Sequence, residues 1–160
     1  MIISIEIIFI VVLLFLFYQD IKERKVVIWA LVLSLIFGSF INYLNQQPIV
    51  FISNIFINAT FIAFIFGILG LYAKFKMKQR IFDVFGMGDL GFFMVLAVSL
   101  PTLSFLMVFI FSTFFALLVF LIFKYRFQPK TVPLAGLQSL FLALVLLANK
   151  FSSTLNIYAL

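Results

Sequence analysis

Apolar residues run through this chain in about six long blocks, separated by short polar or proline-bearing connections. The blocks extend from Ile2 to Tyr18, Val26 to Tyr43, Ile49 to Tyr72, Val84 to Leu100, Leu103 to Phe123 and Val132 to Ala148. A helix needs roughly 17–25 apolar residues to span the hydrocarbon of a bilayer, so each block predicts one crossing. Pro101-Thr102 divides the fourth block from the fifth, because proline disfavours helical geometry in the residue before it. The first block lacks the basic start and small-residue cleavage site of a signal peptide, and is read as a retained helix. No internal repeat or low-complexity linker interrupts the pattern. The expectation is one all-α domain over residues 1–160, a polytopic bundle of about six transmembrane helices with no separate soluble or zinc-binding domain.

Composition agrees with the pattern. The chain has 160 residues, 66% of them hydrophobic and 10% charged, whereas soluble domains carry about 25% charged residues. The lipid bilayer is therefore its solvent. It contains no Cys and no His, which excludes Ser-His and Cys-His catalysis, disulfides, and metal sites built on imidazole or thiolate. No metal or other cofactor is expected. The net charge of +6 is read as orientation and not as nucleic-acid binding, since basic residues in short loops set membrane topology.

The basic residues alternate along the chain. Lys22, Arg24 and Lys25 lie in the first connection, Lys74, Lys76, Lys78 and Arg80 in the third, and Lys124, Arg126 and Lys130 in the fifth. Among Lys and Arg residues only Lys150 falls elsewhere. The positive-inside rule puts these three connections in the cytoplasm and both termini outside. Asn42 to Pro48 and Ser99 to Ser104 then face outward.

This topology brings two acids to one boundary. Asp20 ends the first block and opens the first basic connection. Asp89 follows the second basic connection and heads the fourth block, behind Gly86-Met87-Gly88. Taken alone, Asp20 fits a solvated loop acid balancing Lys22 and Arg24, and Asp89 fits a helix N-cap. An acid beside lipid is costly, however, and a cap leaves the two glycines unexplained. Glycine permits close approach and unusual backbone angles. Two carboxylates held a few ångströms apart do not both ionise easily. The charged one can take a proton from water while the neutral one polarises a carbonyl. That chemistry needs neither His, Cys nor metal. Asp83 is the rival to Asp89, standing in the more hydrophilic approach. Glu23 reads as charge balance among its basic neighbours, and Glu6 lies toward the outer end. Asn54 and Asn58, four apart on one face of the third block, read as interhelical hydrogen bonds.

The layout resembles the type IV prepilin peptidases and the smaller archaeal preflagellin peptidases, within the Gly-x-Gly-Asp group of membrane aspartyl proteases. Asp20 with Lys22-Glu23-Arg24-Lys25, and Gly86-Met87-Gly88-Asp89, carry the resemblance. Val132-Pro133-Leu134-Ala135 adds a weaker match to the Pro-containing segment that opens the family's last helices. The resemblance implies an aspartic endopeptidase of the cytoplasmic (inner) membrane that cleaves leaders from pilin-like or pseudopilin-like precursors at the cytoplasmic face. Asp20 and Asp89 would be catalytic, with Gly86, Gly88 and Pro133 near the approach to them. Many larger members also methylate the new amino terminus and carry paired Cys-x-x-Cys motifs. This chain has no Cys, and methyl transfer is not assigned to it. Val26-Val27-Ile28-Trp29 stands where many relatives have Ile-Pro-Asn, Gly91 where many have Lys, and Gly136 near a second Pro. Without the resemblance, the same features also fit a small ion-coupled transporter or a catalytically silent partner of a pilus or secretion assembly.

Overall fold

The computed structural model describes residues 2–78, 86–123, 132–151 and 157–158. Among them are α1 (Ile2–Glu23), α2 (Ile28–Leu44), α3 (Pro48–Tyr72), α4 (Met87–Ser99), α5 (Thr102–Phe123) and α6 (Leu134–Phe151), with no strand. A π-helical turn, Ala73–Met77, continues α3.

The helix ends follow local chemistry. α1 does not stop where its apolar run ends at Tyr18. Gln19, Asp20, Ile21, Lys22 and Glu23 extend it, and the Lys22 Nζ donates to the Tyr18 hydroxyl at 3.0 Å, one turn back. Asp20 is thus inside the last turn of α1 and not in the loop after it. The helix ends at Arg24, whose φ of 54° is left-handed and whose amide donates to the Asp20 carbonyl at 3.1 Å. Pro48 opens α3 in its first turn, where a missing amide costs little. Leu100, before Pro101, is extended (φ −135°, ψ 146°) and separates α4 from α5, as expected from the proline.

α4 is the inner helix. It packs against α2, α3, α5 and α6, while contacts of α1 with α2, α2 with α3, α3 with α5, α5 with α6 and α6 with α1 close a ring. Accordingly Phe92, Phe93, Val95, Leu96 and Ala97 are buried. Phe93 of α4 meets Phe109 of α5 with ring centroids 5.0 Å apart, and Phe61 of α3 meets Phe105 and Phe109 edge-on at 5.9 Å. Such tilted pairs suit the aromatic quadrupole. Part of the chain's phenylalanine therefore builds the core between α3, α4 and α5. The ring's outer faces carry exposed Ile49, Phe56, Phe64, Leu103, Ile110 and Phe114, as a lipid-facing surface requires.

α1, α3, α5 and α6 are long and apolar enough to cross a membrane, and α2 and α4 are shorter apolar helices of 17 and 13 residues. The protein is a polytopic membrane helical bundle.

Hydrocarbon offers no water to the unpaired backbone groups at helix ends. At the end of the bundle holding the C-terminus of α4, side-chain amides meet this need. Asn58 Nδ2 donates to the carbonyls of Ala97 (2.9 Å) and Leu100 (3.1 Å), and Asn42 Nδ2 donates to Val98 O at 2.9 Å. Asn42 Oδ1 accepts from Gln46, Gln46 Oε1 accepts from Asn54, and Asn54 Oδ1 accepts from Thr102, each at 2.9 Å. Asn54 and Asn58 are interhelical ties, as their spacing predicts.

Candidate active site

The opposite end of the bundle brings together the last turn of α1 and the first turns of α4 and α6. α6 starts after Pro133, whose carbonyl accepts the Leu137 amide at 3.1 Å. Proline has no side-chain oxygen with which to cap the next amides, so those of Ala135 and Gly136 need acceptors from elsewhere. They find two carboxylates. The Gly136 amide donates to Asp20 Oδ2 at 2.7 Å, and the Ala135 amide donates to Asp89 Oδ1 at 2.9 Å. Three backbone bonds join neighbouring amide nitrogens, so the two bound oxygens lie no more than about 10 Å apart. Negative charge is favoured beside a helix N-terminus, and here two acids from different helices share one.

Asp89 is not the N-cap of α4. Gly86 holds that place with extended geometry (φ −67°, ψ 139°), and its carbonyl accepts the Asp89 amide at 3.1 Å. Asp89 sits three residues in, half-buried, and reaches across to α6. Asp20 is more enclosed, with 7% of its surface exposed.

The glycines act through space and not through unusual backbone angles, since none among the described residues has positive φ. A Cβ on Gly88 would stand 2.7 Å from Val26 Cγ2. Its absence lets the first turn of α4 press against the segment joining α1 and α2. A Cβ on Gly136 would stand 2.8 Å from Asp20 Cβ and 2.9 Å from its Oδ2, so α6 can approach Asp20 closely only with glycine there.

Pro133 is buried at the head of α6, next to the two amides that bind the acids. Lys22, Glu23 and Lys25 are exposed around this end, whereas Arg24 is half-buried. Asp83, Arg80 and the connection bearing Lys124, Arg126 and Lys130 lie outside the described residues. Among the described residues no three His, Cys, Asp or Glu side chains form a group that could hold a metal ion. The sequence reading singled out the acids and Pro133 but not the Ala135 and Gly136 amides, because a backbone donor leaves no mark in the residue code. The available signal was a proline, unable to cap, at the head of a predicted helix.

A model of the type IV leader peptidase family matches residues 7–122, from within α1 to the last turn of α5. The chain belongs to that family. The matched stretch contains both Asp20 and the Gly86-Met87-Gly88-Asp89 segment, and stops short of α6. No curated protein and no solved structure gives a significant match. Family and fold together make this a multi-pass membrane peptidase of the leader peptidase type, with a protein substrate.

Proposed function

We propose that the protein is an aspartic endopeptidase that removes leader peptides from type IV pilin-like or pseudopilin-like precursors, with Asp20 and Asp89 as its catalytic pair. The observation carrying this reading is the shared anchorage of both carboxylates on the adjacent amides of Ala135 and Gly136. Residues 69 positions apart in sequence are held as one unit, in a chain without His or Cys.

In the proposed reaction the ionised carboxylate takes a proton from water as the water oxygen adds to the scissile carbonyl carbon. The neutral carboxyl gives its proton to the carbonyl oxygen, forming a tetrahedral diol. The acid formed from the first carboxylate then protonates the departing amine as the C–N bond breaks. The second carboxylate recovers its proton from a diol hydroxyl, leaving a new carboxyl group and a new amino terminus. No covalent enzyme intermediate forms, and the α6 amides keep both acids oriented throughout.

The alternation of basic connections supports a site at the cytoplasmic face of the inner membrane, by the positive-inside rule. Lys22 and Lys25, exposed beside Asp20, fit that orientation. Gly86, exposed at the head of α4, would leave room for an extended substrate backbone, whereas Gly88 is covered by Val26 and Pro133 is buried, so both would shape the site from behind. Co-expression with a pilin-like precursor, followed by intact-mass measurement, tests the reading. The wild-type chain should yield precursor shortened by its leader, and Asp20→Asn should leave it full-length. Shortened product from both would remove the carboxylate mechanism, and uncleaved precursor with the wild type would remove the assigned substrate class.

A further inference from the structure

Among the described residues, α6 is joined to other helices by three hydrogen bonds. Two run from the Ala135 and Gly136 amides to Asp89 and Asp20. The third starts two residues later, where Gln138 Nε2 donates to Thr113 Oγ1 of α5 at 2.9 Å. Thr113 donates in turn to the Phe109 carbonyl at 2.7 Å, so its hydroxyl proton is used and its oxygen is left to accept. Gln138 is completely buried. Its Oε1 is shut off from solvent and has no hydrogen-bond partner among the described residues. A buried amide with one group unpaired is less favourable than an apolar side chain of like size. The same seam holds apolar contact, with the rings of Phe115 of α5 and Phe141 of α6 5.6 Å apart. Leucine at position 138 would extend that contact, so a glutamine there needs a reason other than stability.

The head of α6 supplies that reason. Ala135, Gly136, Leu137, Gln138 and Ser139 are all buried, and three of the five are small. Apolar burial has no direction, and small side chains offer neighbouring helices little to interlock with, so packing alone restrains turning and sliding of this head weakly. A hydrogen bond has both direction and reach. The bonds to the acids cannot give a constant restraint through the proposed reaction, because each carboxyl gains or loses a proton during it. An amide bonds a neutral carboxyl less strongly than a carboxylate. The bond from Gln138 to Thr113 involves no group that titrates.

We infer that Gln138 is a positioning residue of the carboxylate pair, pinned to Thr113 so that the Ala135 and Gly136 amides keep their places while protons move between the acids and the substrate. It acts through those two amides and, fully buried, does not touch the substrate. The inference rests on the catalytic reading of the pair.

Replacing both partners separates positioning from stability. The double variant Gln138→Leu with Thr113→Val removes the bond at nearly constant volume and strands no polar group, so its melting midpoint should be unchanged or raised. The full-length protein in detergent, with a purified pilin-like precursor bearing its leader, gives kcat, KM and that midpoint. The double variant should lose about tenfold or more in kcat, with KM within about twofold. Thr113→Ser, which keeps the accepting hydroxyl, should retain most of kcat. A wild-type kcat in the double variant overturns the inference. So does a rise in KM alone, which would make the seam part of substrate binding. A fall in kcat matched by a fall in midpoint would make the bond structural, and also overturns it. Equal losses of kcat in Thr113→Ser and the double variant would show that the hydrogen bond is not the cause, with the same result. Asp20→Asn and Asp89→Asn run alongside. If both cleave normally, the catalytic reading fails and the inference with it. If both are inactive and the double variant is normal, only the role of Gln138 falls.

Discussion

The two ends of the bundle meet the same physical demand with different chemistry. At one end the last carbonyls of α4 need donors, and the neutral amides of Asn42 and Asn58 provide them. At the other end the first amides of α6 need acceptors, and Asp20 and Asp89 provide them. Asparagine caps amides about as well as aspartate does, and it avoids bringing charge near lipid. Satisfying the backbone therefore does not account for two acids on one helix end. The neutral end reads as structure, and the proposed function adds chemistry to the acidic end.

That contrast can be broken most directly by making the acidic end resemble the neutral one. Asp20→Asn or Asp89→Asn keeps a side-chain oxygen to accept from Gly136 or Ala135. Cleavage should fall by about 10²-fold or more, with the melting midpoint close to wild type. Asp20→Ala should lose cleavage equally and also about 1 kcal/mol of stability, because the cap goes too. Equal stability losses for Asn and Ala would show that the acceptor is not what holds α6.

The next effect concerns spacing. Gly136→Ala puts a methyl group 2.8 Å from Asp20 Cβ, and should lower kcat by about 10- to 100-fold through misplacement of the acid. Steady-state kinetics with the same precursor would read it, and KM should change little. An Ala variant with full kcat would mean that the close approach of α6 is not required.

The smallest catalytic effect should come from the neutral end. Asn58→Leu leaves the Ala97 and Leu100 carbonyls without their donor and should cost about 1–3 kcal/mol of stability. Thermal unfolding reads that loss, while kcat per folded molecule should stay at its wild-type value. A large fall in kcat would mean that the two ends are coupled through α4.

The sequence made some of this legible and not the rest, for physical reasons. Apolar runs located the helices, because crossing hydrocarbon leaves a long, uniform signal. Pro101 marked the α4–α5 break because its ring acts locally. The end of α1 was placed too early, since hydropathy stops at Tyr18 whereas helix formation continues through Gln19 to Glu23. The two acids were visible as charges beside lipid. Their meeting was not, because tertiary packing alone joins α1 to the heads of α4 and α6. The glycines were visible but open to two readings. Only the packing of Gly88 on Val26 and of Gly136 on Asp20 chooses close approach over backbone freedom.

The central claim is that Asp20 and Asp89 form one catalytic unit. Groups that act as a unit have strongly non-additive effects, because losing either already removes the function. The deciding measurement is kcat/KM for the purified wild type, Asp20→Asn, Asp89→Asn and the double variant on one precursor. The account predicts that both single variants lose nearly all cleavage and that the double variant is no worse than either. A single variant cleaving at the wild-type rate, or losses that multiply in the double variant, would contradict it.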